Sequence, residues 1–113
     1  MANFSWHSFE NGGTLGKAGS EEGTVVRDEE YSLGARITLE RDCRYPPFAI
    51  TCGIYGWMLH TRYFSSQFEA ETQYEAMKSA LAMLLEVAQK TSAIDGGRQV
   101  LMAGVSKFVE MFP

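Results

Sequence analysis

Cys52 and His60 lie in one short stretch, "ITCGIYGWMLHTRYF" (Ile50–Phe64), which holds a thiol and an imidazole, the two groups a cysteine nucleophile and its base require. With Cys43 and His7 they are also this chain's thiolate and imidazole residues, the types that bind zinc. The spacing rejects a metal, because eight residues separate the cysteines where a zinc motif has roughly two to four. No metal and no cofactor are expected.

The nucleophile depends on how the stretch folds. As one strand, residues 48–64 would run over ~50 Å, against a usual ~17–20 Å, with both faces apolar. A hairpin about Tyr55 and Gly56 sorts the side chains better. Ile54 then faces Trp57, Cys52 faces Leu59, Ile50 faces Thr61 and Phe48 faces Tyr63. In that register Cys52 points into the core as an inert thiol, while His60 points to the opposite face. Cys43, between Arg41 and Arg44, has an electropositive neighbourhood but reads as a loop cysteine after a strand. No catalytic residue is assigned.

The glycines of "GGTLGKAGSEEG" do not form a phosphate loop, since no Gly-Lys-Ser/Thr ending occurs and no strand-to-helix junction follows. No Gly-x-Ser-x-Gly elbow places a serine nucleophile. Two surfaces are left. The acidic residues Glu21, Glu22, Asp28, Glu29 and Glu30 are expected on an exposed loop and strand edge, where they would meet a basic protein partner. The outward sheet face, with Arg36, Thr38, Thr51, Met58, His60 and Arg62, would serve self-association or form a shallow ligand platform.

The elements that must carry these residues follow from the apolar period. Residues 1–23 hold five glycines and read as loop, apart from Phe4 and Trp6, an aromatic pair suited to a short strand that ties the N-terminus to the core. From 24 to 64 the period is near two: "TVVRDEEY", a turn at "SLG" with Gly34, then "ARITLERD", ended by "CRYPP". From Gln67 the period becomes helical, with Ala70, Tyr74, Met77, Leu81, Leu84 and Ala88 on one stripe, and Met77 and Met83 read as core filler. Ser66 and Glu69 have the spacing of a capping box. Asp95 is expected to cap a second helix whose stripe is Leu101, Val105, Phe108 and Phe112. The expected fold is one α+β domain, residues 1–113: an antiparallel meander of three to four strands followed by two C-terminal helices, over 66–112, packed on one face.

At 113 residues with 45% hydrophobic and 21% charged residues, the chain can bury a core without a staple. Fourteen acidic against ten basic residues give a net charge of −4, which disfavours nucleic acid and anionic membranes as partners. No run approaches the ~20 apolar residues of a membrane span, and no secretory signal opens the chain, so a cytoplasmic protein is expected. These features favour a non-enzymatic interaction module of toxin-neutralising or adaptor type, homodimeric in one form of that reading. The alternative is a small-molecule binder or minor enzyme with a pocket near Trp57, His60, Arg62 and Tyr63 or near Cys43.

Overall fold

A computed structural model of the chain describes residues 4–91 and 96–113. Five strands, β1 (Trp6–Ser8), β2 (Thr24–Tyr31), β3 (Ala35–Arg41), β4 (Phe48–Ile54) and β5 (Met58–Phe64), precede helices α1 (Gln67–Lys90) and α2 (Gly96–Met111). The strands form one antiparallel sheet in the order β1-β2-β3-β4-β5, so each strand pairs with its neighbour in sequence. The fold class is therefore α+β, a meander followed by two helices, with one strand more than the upper expectation. The extra strand is β1, and the Trp6 ring packs against Tyr31 at 5.0 Å. Because β1 covers it, β2 is not the exposed edge that its charges suggested.

Helix α1 begins where its cap predicts: the Ser66 hydroxyl accepts from the Glu69 N–H at 3.0 Å. Its buried stripe is Ala70, Tyr74, Met77, Leu81, Leu85 and Ala88, set against Ile37, Ile50 and Cys52 of the sheet. Leu85 takes the place expected of Leu84. The Leu84 side chain instead fills the space beside Gly104 of α2, where a Cβ would collide with it. Met83 is exposed rather than core filler. Helix α2 packs chiefly on α1, and Leu101, Phe108 and Phe112 are buried as their spacing implied. Asp95, the expected cap of α2, lies outside the described residues.

The β4–β5 hairpin differs from the expected register by one residue. Its loop has three residues, Tyr55, Gly56 and Trp57, and Ile54 pairs with Met58, Cys52 with His60, Ile50 with Arg62, and Phe48 with Phe64. The physical reason is the turn. The Trp57 N–H donates to the Ile54 carbonyl at 2.8 Å, which puts Gly56 at the third turn position, and Gly56 alone takes the positive φ of 82°. A two-residue loop would have forced Tyr55 into that conformation. One residue of slip turns every β5 side chain over. Met58, His60 and Arg62 therefore sit on the helix-covered face, and Leu59, Thr61 and Tyr63 face the other way.

Candidate functional site

Cys52 and His60 are thus cross-strand neighbours on one face, not on opposite faces as the expected register had them. They still form no reactive pair. Cys52 is 1% exposed, and burial pushes its thiol up to about 12. The His60 Nε2 donates to the Phe112 carbonyl at 2.5 Å, and the Arg62 Nε donates to the Pro113 carbonyl at 3.1 Å. Both basic residues of β5 are spent on closing the C-terminal end of α2 over the sheet. The guanidinium of Arg62 also lies 4.9 Å from the Phe64 ring and 5.4 Å from that of Phe112. Cys43 is buried too, and desolvation with the nearby Glu40 and Glu21 carboxylates pushes its thiol up rather than activating it.

The acidic residues do not gather into one surface. Asp28 has no exposed side-chain area: Arg36 grips it through Nε at 2.9 Å and Nη2 at 2.7 Å, and the Thr14 hydroxyl donates to it at 2.7 Å. Glu29 turns under α1, where Lys78 binds it at 2.9 Å and the Tyr74 hydroxyl at 2.8 Å. Burial raises the Glu29 carboxyl, but these two hydrogen bonds together with the charges of Lys78 and Arg27 hold the group below its ordinary value. Glu30 accepts from the Tyr55 hydroxyl at 2.6 Å and sits 3.4 Å from the His7 Nε2. Glu21 accepts from the Tyr63 hydroxyl, and Glu22 faces solvent beside Arg44. The expected exposed edge is mostly internal wiring, because alternation along β2 sends Asp28 and Glu30 to one face and Glu29 to the other.

The face away from the helices carries the most developed polar arrangement. Strand pairing aligns Asp28, Thr38, Thr51 and Thr61 in one row across β2 to β5. A second row runs Glu30, Arg36, Gly53 and Leu59, and a third runs Val25, Glu40, Ala49 and Tyr63. The Thr51 and Thr61 hydroxyls are 3.3 Å apart, and the Thr38 hydroxyl lies 3.4 Å from the Thr51 carbonyl. Of the residues expected on this face, the structure places Arg36, Thr38 and Thr51 there together and removes Met58, His60 and Arg62.

The loop-rich N-terminal segment folds back over these rows. The Phe9 ring lies under the Arg36 guanidinium at 3.6 Å. Gly16 donates to the Val25 carbonyl and Val25 to the Lys17 carbonyl, which lays residues 16–18 alongside β2. The backbone N–H groups of Glu21 and Gly23 donate to the buried Glu40 carboxylate at 3.0–3.2 Å. At Gly19 a Cβ would collide with that carboxylate, and at Gly23 with Cys43 and the Arg41 carbonyl. A glycine loop that cannot be a nucleotide motif does cradle an anion, and the anion is the protein's own. Glu10, Asn11 and Glu22, three of the four non-glycine residues with positive φ among those described, belong to this same segment. Such conformations cost of order 1 kcal/mol each and concentrate at functional sites.

Between the loop and the sheet lies a cavity of about 610 Å³. Thr38, Thr51, Thr61, Gly53 and Leu59 form its floor, Arg36 with Asp28 and Glu40 line its sides, and Thr14, Lys17 and Ser20 belong to the loop above. Trp57 lines a second, smaller hollow of about 310 Å³ with Leu33, Leu85 and Leu101, reached by neither His60 nor Arg62, and Cys43 lines neither space. Thr14, Lys17, Glu40 and Thr61 were not singled out from the sequence. The sequence signal for Glu40 was the glycine spacing of 19–23, which marks a close backbone approach without naming what is approached. No group of three or more potential metal ligands converges among the described residues, and no helix there is long and apolar enough to cross a membrane. Compared with protein-family models, with curated proteins and with solved structures, the chain finds no match.

Proposed function

We propose that this chain is a small-molecule binding protein whose site is the cavity between residues 13–23 and the open sheet face. The observation that carries this reading is the cavity itself. About 610 Å³ is the size of a metabolite pocket, and it combines a floor of threonines and the apolar Leu59 with convergent charged groups. The charged groups differ in what they have left to give. Asp28 is held by Arg36 and Thr14, Glu40 by backbone N–H groups, and Glu21 by the Tyr63 and Ser20 hydroxyls, so all three carboxylates of the lining are committed to structure. The Lys17 ammonium makes no ion pair and no side-chain hydrogen bond among the described residues. The group with free capacity is a cation beside hydroxyl donors, which favours a small carboxylate with a short apolar body. Because the lining carboxylates are already bound within the chain, the reading is binding rather than turnover.

A thermal-shift panel of three- to six-carbon mono- and dicarboxylates tests it. A true ligand at 100 times its dissociation constant should stabilise the fold by about 2.7 kcal/mol, several degrees for a domain of this size. Lys17→Ala should abolish the shift while changing the ligand-free stability by no more than about 0.5 kcal/mol. Shifts that survive in Lys17→Ala, or none across the panel, would remove the carboxylate reading.

A second reading, the protein-interaction module, is favoured by a different observation: β5 is a free sheet edge that turns Leu59 and Tyr63 outward.

A further inference from the structure

The two edges of the sheet are built differently. At one end β1 has three residues, and a short strand offers little to pair with. At the other end β5 has seven residues, pairs with β4 without a bulge, and holds no proline, lysine or carboxylate along "MLHTRYF". Its one permanent charge, Arg62, points to the helix face, where it is bound to Pro113 and Gln73. Of the usual guards against edge pairing, β5 keeps one, the inward-pointing charge of Arg62, and that charge is already held within the chain; proline, outward lysine, a bulge and short length are all missing. Leu59 is 79% exposed and Tyr63 49%, on the same face of the same strand, while His60 and Arg62 lie beneath the helices. A strand that turns its apolar residues out beside a weakly guarded edge is one that expects a neighbour.

We infer that β5 pairs with β5 of a second copy of this chain, antiparallel about a two-fold axis at Thr61, to make a continuous ten-stranded sheet. Antiparallel pairing about a two-fold axis places one residue opposite its own copy. Centring on Thr61 uses all seven residues of the strand and sets Leu59 of each copy beside Tyr63 of the other, so both exposed apolar groups are covered twice. Centring on Arg62 would oppose two guanidinium groups, and centring on His60 would leave each Leu59 against a threonine. The Thr61 centre also keeps each Arg62 away from its own copy. This inference shares Leu59 and Thr61 with the cavity floor but does not rest on the ligand reading: an empty cavity leaves it intact.

Analytical ultracentrifugation of the full chain over a concentration series should show a monomer–dimer equilibrium. Leu59→Lys, at an exposed position, should weaken it about tenfold or more, since the pair it breaks occurs twice. Thr61→Cys should give a disulfide-linked dimer under mild oxidation, and Leu59→Cys should not, because its own copy lies out of reach; Cys43 and Cys52 are buried and leave the experiment clean. A monomer at every concentration up to about 1 mM overturns the inference. So does a dimer that Leu59→Lys leaves intact, one that Thr61→Cys fails to lock, or a foreign protein held on β5 of a monomer.

Discussion

The two faces of the sheet solve the problem of burial in opposite ways. Under the helices, Ile37, Ile50, Tyr74, Met77 and Leu81 are removed from water almost completely, and the stabilisation scales with apolar area. Under the N-terminal loop, the most buried groups include two carboxylates, Asp28 at 2% and Glu40 at 1% exposure. Those charges are tolerable only because each has hydrogen-bond donors aimed at it. The dry face tolerates any apolar shape of the right volume, whereas the wet face demands particular atoms in particular places. Sites are built on the second kind of surface, because directed polar groups can discriminate between ligands and packed methyl groups cannot.

Deleting apolar volume from the dry face should have the largest effect. Leu81→Ala should cost about 2–5 kcal/mol, read as a lower midpoint of denaturant unfolding. A loss under 1 kcal/mol would mean that α1 is not clamped to the sheet as described. On the wet face, Arg36→Ala strands the buried Asp28 carboxylate and should cost about 3 kcal/mol. The double change Asp28→Ala with Arg36→Ala should recover a large part of that loss, because no unpaired charge is left behind. If the two single losses simply add, the pair is not the unit described here.

The smallest effect is a slope with pH. Burial pushes Cys52 up to about 12, so the folded chain keeps its proton after the unfolded chain has begun to release it near pH 9. Stability is then full below about pH 9 and falls as pH rises, by about 1.4 kcal/mol per unit for each such group. Unfolding free energies at pH 9 and 10 should show this fall, and Cys52→Ala should flatten it by one proton's share. An unchanged slope in that variant would place the titrating group elsewhere, with Cys43 next to be tested.

How much was legible in the chain can be judged strand by strand. In β3, Ala35, Ile37 and Leu39 alternate cleanly with Arg36, Thr38 and Glu40, and the structure keeps that alternation. In α1, both the Ser66 cap and most of the stripe were readable, since helix caps and a 3.6-residue period act over a few residues. β5 was misread by one residue, because sorting the apolar groups to one side is a global preference and a positive φ at Gly56 is a local demand. The local demand won. The polar cavity was only half legible: Arg36, Thr38 and Thr51 were placed on it, but its roof of 13–23 had no periodicity from which to place Lys17 or Thr14.

The sequence by itself determined the class of object, a meander capped by two helices, because alternation, caps and turn glycines act over a few residues at a time. Tertiary structure alone decided which face each β5 residue takes and which carboxylates are held. Those outcomes depend on partners far along the chain: His60 on Phe112, Glu40 on the 21–23 backbone, Asp28 on Thr14. No local pattern records such a meeting, since its free energy exists only once the loop and the C-terminus have come home to the sheet.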